Sequence, residues 1–271
     1  MAQQARPASF IEYRGVVIAE VRGLPFDLTR RIGELYSSLT RRRRRRRFRR
    51  AARSFKELRN ATLLVDHLVI AAMTLEEGVE HVRKALGVTV PQGGAHPLMG
   101  THNRLMKLND GLFLEIIAPD PAAKPQRPRW FALDDSGMRA ALSSSPRLIT
   151  WVARVLDLAT TLASIPASLG EIVNVSRGAL QWVIAVPPDG SMPFGGAFPT
   201  IIQWPRGPHP ASGMADLGCR LHSLTIEHPE ADRIRKILAP AFSDCRIAIR
   251  EGAQVRLSAQ IVTPAGLREL T

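Results

Sequence analysis

The chain is poor in cysteine and in aromatic residues. Among its 271 residues there are two cysteines, Cys219 and Cys245, and Phe, Trp and Tyr together make up 6%. Two cysteines provide neither a disulfide framework nor a zinc-ligand pattern in a chain of this size. We therefore expect a protein without structural disulfides in a reducing, cytoplasmic environment.

Long apolar runs and the common nucleotide and hydrolase motifs are also missing. A membrane-spanning helix needs about 18 or more apolar residues in a row. The nearest approach, Leu148–Leu169, is interrupted by Arg154, Asp157 and Pro166. The chain has no Walker loop, GxSxG elbow, CxxC pair or dinucleotide fingerprint. The sequence predicts no membrane contact, and no short motif in it identifies a substrate.

Acidic residues are scarce in the first 60 residues, which hold 17 Arg and Lys but only 5 Asp and Glu. This segment carries +12 of the formal charge of +13, so the rest of the chain is close to neutral. Within it, Arg41–Arg50 contains seven consecutive arginines. A block of like charges repels itself and cannot be buried, so residues 1–60 are predicted to be a disordered extension.

Three interpretations of the extension stay open: contact with nucleic acid or another acidic surface, a targeting segment, or an appended tail without function. We do not expect nucleic-acid contact to be the main function. Ile11–Val21 and Leu28–Leu39 are the parts of it that could form a short strand and a helix.

The chemistry is concentrated in residues Leu63–Asp120. Leu63–Ala71 is a β-branched-rich apolar run typical of a strand. Thr74 and Glu77 have the spacing of a helix capping box, and Gly87 is placed to end that helix. The segment then continues through a Gly- and Pro-rich loop into a predicted hairpin, whose strands His102–Leu108 and Leu112–Ala118 flank an Asn-Asp-Gly turn.

Strand parity predicts which of these side chains share a face, because alternate residues of a strand point to opposite sides. Packing the aliphatic faces under the helix leaves Val65, His67 and Glu115 on the opposite, concave side. A His and a Glu on one face suit a divalent metal or a general acid–base pair, although a buried structural His–Glu hydrogen bond has the same pattern.

The stretches DHLVIAAMTLEEGVEHVRKALGV and GTHNRLMKLNDGLFLEIIAPD resemble a βαβββ module of the vicinal oxygen chelate superfamily. More narrowly they resemble its glyoxalase-like domain proteins. The resemblance continues through LITWVARVLDL, SRGALQWVIAVPPDG, GGAFPTIIQWP and LTIEHPE, so that it covers about residues 61–265. It implies an α+β fold of repeated βαβββ modules, which form a cupped mixed sheet with helices on the outside. The superfamily includes glyoxalases, extradiol dioxygenases, epimerases, fosfomycin-modifying enzymes and metal-free antibiotic-binding proteins.

The resemblance also implies a divalent metal, Fe, Mn, Ni or Zn, held by three or four His, Glu or Gln ligands from two modules. Aligned by element order, Trp151 falls near the position of His67 in the second module, and Gln203 falls near that of Glu115. We therefore expect His67, Glu115 and Gln203 as ligands. The second module offers no histidine in the matching strand, so a protein without metal stays open.

Further residues are predicted to contact the substrate or take part in catalysis. Parity puts His102 and Arg104 on one face, from which both could point into the cup beside Glu115. His96 and His209 adjoin prolines in predicted surface loops, so we expect less of them. The predicted substrate contacts are Asn103, Trp151, Trp182 and Trp204, and Arg129 with Trp130 could clamp a ligand or hold the crossover loop.

We divide the chain into the extension 1–60, a first module with linker 61–145, a second module 146–218 and a C-terminal βαββ unit 219–271. The C-terminal unit is predicted to contain a strand near Leu221–Glu227, a helix and a hairpin around Glu251. If this unit closes the cup in place of the second module, His222 and Gln260 become the opposing ligands. The sequence leaves that pairing, and a homodimer, open.

The function expected from these residues is that of a glyoxalase-like, divalent-metal-dependent enzyme of lyase, isomerase or dioxygenase type. Its substrate would be a small carbonyl or vicinal-oxygen compound. The alternative is a non-catalytic protein of the same fold that binds a small molecule, as antibiotic-resistance proteins do.

Overall fold

A computed structural model describes residues 9–13, 16–21 and 62–271. The chain divides into two compact units, residues 1–56 and 57–271. In the first, β1 (Ser9–Tyr13) pairs antiparallel with β2 (Val16–Val21), where the sequence predicts a single strand. The arginine block Arg41–Arg50 and the predicted helix Leu28–Leu39 lie outside the described residues.

Two βαβββ modules build the second unit. The first consists of β3 (Leu64–Ala71), α1 (Leu75–Leu86), β4 (Gln92–His96), β5 (Thr101–Asn109) and β6 (Leu112–Pro119). A linker that contains α2 (Ser136–Ser144) follows. The second module consists of β7 (Arg147–Arg154), α3 (Leu158–Ser164), β8 (Glu171–Arg177), β9 (Leu180–Val186) and β10 (Thr200–Gln203). The structure thus confirms the predicted α+β fold, and β4 forms where the sequence indicates a loop.

The eight strands of the two modules form one mixed sheet in the order β4-β5-β6-β3-β7-β10-β9-β8. β3 is parallel to β6 and β7 is parallel to β10, while β3 and β7 meet antiparallel at the centre. Each half therefore repeats the other with the same pairing. The sheet curves until its edge strands approach each other, with Gly94 of β4 against the Arg177 side chain of β8. The second module, and not the C-terminal unit, closes the cup.

Helix α1 begins and ends as its sequence predicts. The Thr74 side chain accepts a hydrogen bond from the Glu77 N–H, and the Glu77 carboxylate accepts one from the Thr74 N–H. These two bonds satisfy amide groups that have no partner within the helix. Gly87 follows with a φ of 74°, a left-handed conformation that glycine adopts without the steric cost of a Cβ atom.

The sheet separates two apolar cores. On the helix side, apolar residues of all four central strands pack with α1, among them Leu68, Leu114 and Trp151. On the cup side, Val69, Ile117 and Val152 pack with residues of the linker and of β8 to β10. The helix-side core needs a cover beyond α1, which the C-terminal unit supplies.

The C-terminal unit is a four-stranded sheet with one helix. It consists of β11 (Arg220–His228), α4 (Ala231–Leu238), β12 (Ile247–Glu251), β13 (Arg256–Thr263) and β14 (Gly266–Leu270), in the order β12-β11-β13-β14. The predicted hairpin of β12 and β13 is wrong: β11 lies between them, parallel to β12 and antiparallel to β13. Its apolar face joins the helix-side core, so His222, which is exposed, and Gln260 do not face the cup.

A β-bulge in β3 changes the predicted parity of that strand. Val65 pairs with Ala153 of β7 and His67 pairs with the adjacent Val152, so Asp66 is an additional residue in the ladder. Val65 consequently lies in the helix-side core with Leu68. The prediction that Val65 shares the face of His67 is wrong, and the bulge frees Asp66 to bond on the cup side.

No helix among residues 62–271 or in the other described segments is long and apolar enough to cross a membrane.

Candidate active site

The candidate site lies inside the cup, where β3 and β6 run side by side. His67 of β3 is the neighbour of Phe113 of β6, and their rings stack with centroids 4.4 Å apart. Glu115 lies two residues further along the same face of β6. Both His67 and Glu115 are buried, as parity predicts for the concave face.

The His67 ring lies between two carboxylates. Its Nδ1–H donates to Asp66 Oδ1 at 2.6 Å, and its Nε2 lies 3.5 Å from Glu115 Oε2. Burial by itself lowers the pKa of His67, but the hydrogen bonds and charges of Asp66 and Glu115 raise it to about 9. The ring is therefore an imidazolium at neutral pH, with a proton on each nitrogen.

Glu115 is a buried carboxylate that His67 keeps ionised. Burial would raise the pKa of Glu115, but the hydrogen bond and charge of His67 outweigh it and lower the pKa to about 2. Glu115 Oε1 also accepts a bond from Asn103 Nδ2 at 2.6 Å. The carboxylate is thus held from two sides and charged throughout the physiological range.

Asn103 links Glu115 to the edge strands. Its amide oxygen accepts bonds from the Gly94 N–H at 2.9 Å and from Arg177 Nη1 at 3.3 Å, and its Nδ2 also lies 3.4 Å from His96 Nε2. His96 therefore accepts at Nε2 and donates from Nδ1 to the Thr101 hydroxyl at 3.1 Å. Burial lowers the pKa of His96 to about 4, so this ring is neutral.

Asp66 is buried completely and accepts hydrogen bonds from Trp204 and His209 as well as from His67. Its Oδ2 accepts from Trp204 Nε1 at 2.9 Å and from His209 Nε2 at 2.8 Å, while Arg154 Nη1 lies at 3.6 Å. Burial would raise the pKa of Asp66, but its hydrogen bonds from His209 and His67 lower it. Asp66 is therefore a second permanent negative charge behind the His67 ring.

Residues 204–213, which we call the strap, run from the end of β10 across the mouth of the cup and include a 3₁₀ turn at Pro210–Gly213. Ala211 is buried against Leu105 and Phe113, and Trp204 and Pro210 line the cavity beneath. That cavity has a volume of about 30 Å³, room for one or two water molecules. The strap therefore forms part of the cavity wall and narrows the space inside the cup.

Aromatic rings form the wall of the cavity opposite Glu115. Trp182 and Trp204 contact each other at 5.3 Å between centroids, and Trp130 meets the His96 ring edge-on at 5.0 Å. Trp130 is 3% exposed, yet its indole Nε1 has no hydrogen-bond partner within the described part of the chain. A buried donor without a partner carries a free-energy penalty that a bound acceptor would remove.

A family profile described as a glyoxalase-like domain matches residues 65–242, more than half of the chain and both modules of the cup. The chain belongs to the glyoxalase-like domain family. The resemblance stated from the sequence is thereby confirmed for residues that include His67, Glu115 and the strap.

Comparison with solved structures finds distant likenesses. A hypothetical protein from Staphylococcus aureus has a TM-score of 0.49 and 13% identity, over 72% of this chain and 88% of that one. Methylmalonyl-CoA epimerase from Streptomyces coelicolor has a TM-score of 0.36 and 18% identity, over 55% of this chain and 99% of that one. The epimerase from Mycobacterium tuberculosis has a TM-score of 0.34 and 17% identity, over 55% and 91%. No curated protein matches the sequence.

The donor set of this glyoxalase-like domain does not fit a metal ion. In residues 62–271 no three His, Cys, Asp or Glu side chains converge as ligands. His67 Nε2 and Glu115 provide two donors, and Asp66 is engaged by His67, Trp204 and His209. Two ligands are fewer than the three or four of a protein metal site.

The second module supplies apolar residues where a metal site would need ligands. The cup-facing neighbour of His67 in β7 is Val152, one residue beyond the predicted Trp151, and the cup-facing residue of β10 is Ile202. Gln203 points elsewhere: its amide oxygen accepts from the Leu158 N–H at 2.7 Å, at the start of α3. The structure therefore gives no geometric support to the ligand role predicted for Gln203.

Of the other predicted site residues, Asn103, Trp182 and Trp204 line the cavity and three do not. Trp151 is buried in the helix-side core, where its Nε1 donates to the Ala197 carbonyl at 3.1 Å, so it lies on the other side of the sheet from the cavity. His102 and Arg104 are placed wrongly by parity. They pair with Ala118 and Ile116 of the helix-side core, whereas Asn103 and Leu105 face the cup.

Sequence reasoning missed Asp66 and Arg177 and gave too little weight to His96 and His209. His96 is the last residue of β4 and is buried at the cavity, so the prediction of a surface loop is wrong for His96. His209 does lie in a loop, but it bonds to Asp66 from there. The Asp-His dipeptide was the available signal for Asp66. The roles of all these residues in function stay predictions.

Proposed function

We propose that this glyoxalase-like protein is an enzyme that moves a proton at the carbon next to a carbonyl group, a reaction of isomerase or lyase type. Its substrate is a small carbonyl or vicinal-oxygen compound. The observation that carries the proposal is the buried His67 ring held between the Asp66 and Glu115 carboxylates. It lies beside a cavity lined by Trp130, whose Nε1–H has no partner in the described part of the chain.

His67 supplies the electrophile. A carbonyl oxygen at the base of the cavity would accept the Nε2–H, which is directed toward Glu115 over a loose 3.5 Å separation. When a proton leaves the neighbouring carbon, the electron pair of the C–H bond moves to the carbon–carbon bond and the negative charge appears on that oxygen. A fixed cation at this point stabilises the enolate more than the neutral carbonyl, which is the requirement for lowering the barrier.

Glu115 takes the proton. Its low pKa depends on His67, whereas its burial acts in the opposite direction. A substrate oxygen inserted between the two side chains separates Glu115 from His67, while the Glu115 carboxylate stays buried away from water. Its pKa therefore rises, and the carboxylate becomes a stronger base in the complex. Returning the proton to the carbon or to a different position completes an isomerisation, with no oxidant or reductant needed.

Arg177, Asn103 and Trp130 supply further donors, and the aromatic wall excludes water. Arg177 reaches the cavity from β8 at the far edge of the sheet, and burial lowers its pKa without depriving it of charge at neutral pH. Carbonyl and hydroxyl oxygens are suitable partners for this set. No step of the proposal passes through a metal ion, because the donor set does not fit one.

The second candidate is a binding protein of the same fold. The aromatic wall of Trp130, Trp182 and Trp204 favours a planar apolar ligand, and such a cup needs no chemistry to retain it. In that case the Asp66–His67–Glu115 cluster would serve only to stabilise the sheet.

The experiment that separates the two is solvent isotope exchange on the full chain. Small α-hydroxycarbonyl and 1,2-dicarbonyl compounds are incubated with the protein in D₂O, and deuterium at the carbon next to the carbonyl is followed by NMR. We expect catalysed exchange in the wild type and a fall of about 10²- to 10⁴-fold in Glu115→Gln, as for the loss of a general base. His222→Gln, on an exposed histidine, is the control.

Compounds that bind by calorimetry but exchange no deuterium, in the wild type and in Glu115→Gln alike, would establish the binding protein and rule out the enzyme. Exchange that is equal in the wild type and in Glu115→Gln would remove Glu115 as the base.

A further inference from the structure

The two oxygens of Asp66 bond to different parts of the molecule. Oδ1 accepts from His67 Nδ1 at 2.6 Å within β3. Oδ2 accepts from Trp204 Nε1 at 2.9 Å and from His209 Nε2 at 2.8 Å, both in the strap. One buried carboxylate therefore joins the central strand of the site to the segment that covers it.

The tautomer of His209 makes its bond to Asp66 specific. The Ala211 N–H donates to His209 Nδ1 at 3.2 Å, so Nδ1 is an acceptor and the proton is on Nε2, directed at Asp66. The strap's own 3₁₀ turn thus orients the ring for this contact. Loss of the turn would release both His209 and the buried Ala211.

A substrate larger than water needs more room than the cavity provides, and movement of the strap would supply it because the strap forms part of the cavity wall. The cavity beneath it holds one or two water molecules, and Trp204 and Pro210 form part of its lining. Residues 205–208 are exposed, which is typical of a segment with a low local free energy of opening. Binding therefore breaks or rearranges the bonds that Trp204 and His209 make to Asp66.

Opening the strap does not leave Asp66 without a counter-charge. Arg154 Nη1 lies 3.6 Å from Asp66 Oδ2 and is itself held by the carbonyl groups of Val65 and Gly111, so Arg154 stays with the sheet. The donors that change on opening are those of the strap. The negative charge of Asp66 is then shared among fewer donors, and its bond to His67 strengthens.

We propose that Asp66 is a positioning residue that couples closure of the strap to the hydrogen bond and orientation of the His67 ring. Two events that share one carboxylate affect each other reciprocally, so the state of the strap alters the His67 ring and the ring alters the strap. Its consequence for turnover rests on the proposed function of His67, but the coupling itself is a property of the folded chain.

The test uses the full chain with variants that cut only the strap side of Asp66. Trp204→Phe loses the indole N–H that bonds to Asp66, and His209→Leu loses the imidazole N–H without supplying another donor. Neither substitution touches the His67–Asp66 pair itself. Arg206→Ala, in the exposed part of the strap, is the matched control. Amide hydrogen exchange of residues 204–214 reports on the strap, and the proton resonance of His67 Nδ1 in ¹⁵N-labelled protein, assigned with His67→Gln, reports on the ring.

We expect exchange in the strap to rise about tenfold or more in Trp204→Phe and His209→Leu, the effect of losing one hydrogen bond to a charged group. The same two variants should shift the His67 Nδ1 proton resonance, and Arg206→Ala should change neither signal. Faster exchange with an unchanged His67 resonance would mean that Asp66 holds the two partners independently, which overturns the coupling. Unchanged exchange would show that Asp66 does not hold the strap.

Neither readout requires turnover. A failure of the coupling is therefore distinguishable from a failure of the proposed enzyme, which only the isotope exchange experiment tests.

Discussion

His67 Nδ1 and Asp66 Oδ1 lie 2.6 Å apart, although the two residues are consecutive in a β-strand. Neighbours in a regular strand point to opposite faces, so this contact exists only because the bulge in β3 brings Asp66 to the cup side. The bulge creates the charged cluster on which the site depends, and the predictions below test its parts.

The His67 cluster should make stability fall as the pH rises above neutrality. The pKa of His67 is raised from 6.5 to about 9 in the folded chain, so its contribution is fully present below pH 6.5 and is lost as the pH rises through 9. The loss should be on the order of 3 kcal/mol. Urea denaturation at pH 6.5 and pH 9.5 measures this loss in the free energy of unfolding. The loss should be smaller in His67→Gln and unchanged in His222→Gln. An equal decrease in His67→Gln would show that other groups are responsible.

Stability should also fall on the acid side, where groups with a lowered pKa act, among them His96 and Glu115. The pKa of His96 is lowered from 6.5 to about 4 in the folded chain, so the unfolded chain takes up this proton at a higher pH than the folded chain. The folded state is therefore destabilised as the pH falls through this range. Glu115 has its pKa lowered to about 2 and adds a further loss below about pH 4.5. We expect His96→Gln to reduce the slope between pH 6.5 and 4, measured by urea denaturation. A slope identical to that of the wild type would contradict the burial of a neutral His96.

The indole N–H of Trp130 should contribute nothing to the stability of the free protein. Trp130→Phe removes a buried donor that has no partner among the described residues, whereas Trp151→Phe removes one that bonds to the Ala197 carbonyl. Both lose a similar volume, so Trp151→Phe should be the less stable by about 1–2 kcal/mol. Chemical denaturation of the two variants measures the difference. Equal stabilities would indicate that Trp130 Nε1 has a partner in the free protein.

Gly93 should be essential to the position of Asn103. A Cβ at Gly93 would come within 2.2 Å of Asn103 Oδ1 and 2.5 Å of its carbonyl oxygen, so Gly93→Ala must displace the side chain that holds Glu115. We expect a loss of about 1–3 kcal/mol in the free energy of unfolding. Gly213→Ala, where the added Cβ meets nothing within 4 Å, is the control. Similar losses in both variants would show a general effect of alanine rather than this contact.

Removal of divalent metal should leave the protein unchanged. His67 and Glu115 are two donors, and no third His, Cys, Asp or Glu converges on them in the part of the chain that the structure describes. Treatment with EDTA should therefore not alter the unfolding midpoint. Micromolar binding of Mn, Fe, Ni or Zn by calorimetry, lost in both His67→Ala and Glu115→Ala, would contradict this and restore the metal-dependent interpretation.

The sequence by itself determined the elements that rest on local chemistry. The capping box of Thr74 and Glu77, the left-handed Gly87 and the Asn-Asp-Gly turn each act within a few residues, so they are visible in the order of the amino acids. Alternation in β6 likewise placed Glu115 on the concave face, because Leu112, Leu114 and Ile116 occupy the opposite face in the helix-side core. The family followed from the order of these pieces.

Only the tertiary structure decided what depends on the partner of each strand. His102 and Arg104 face the helix side because β5 takes its orientation from its pairing with β6. The register between β3 and β7 makes Val152, not Trp151, the cup-facing neighbour of His67. The bulge at Asp66 depends on the register between β3 and β7, and the bonds of His209 and Trp204 join residues more than a hundred positions away. Hydrogen bonds between distant strands and loops leave no periodicity in a sequence, so the cluster around His67 could be seen only after the chain had folded.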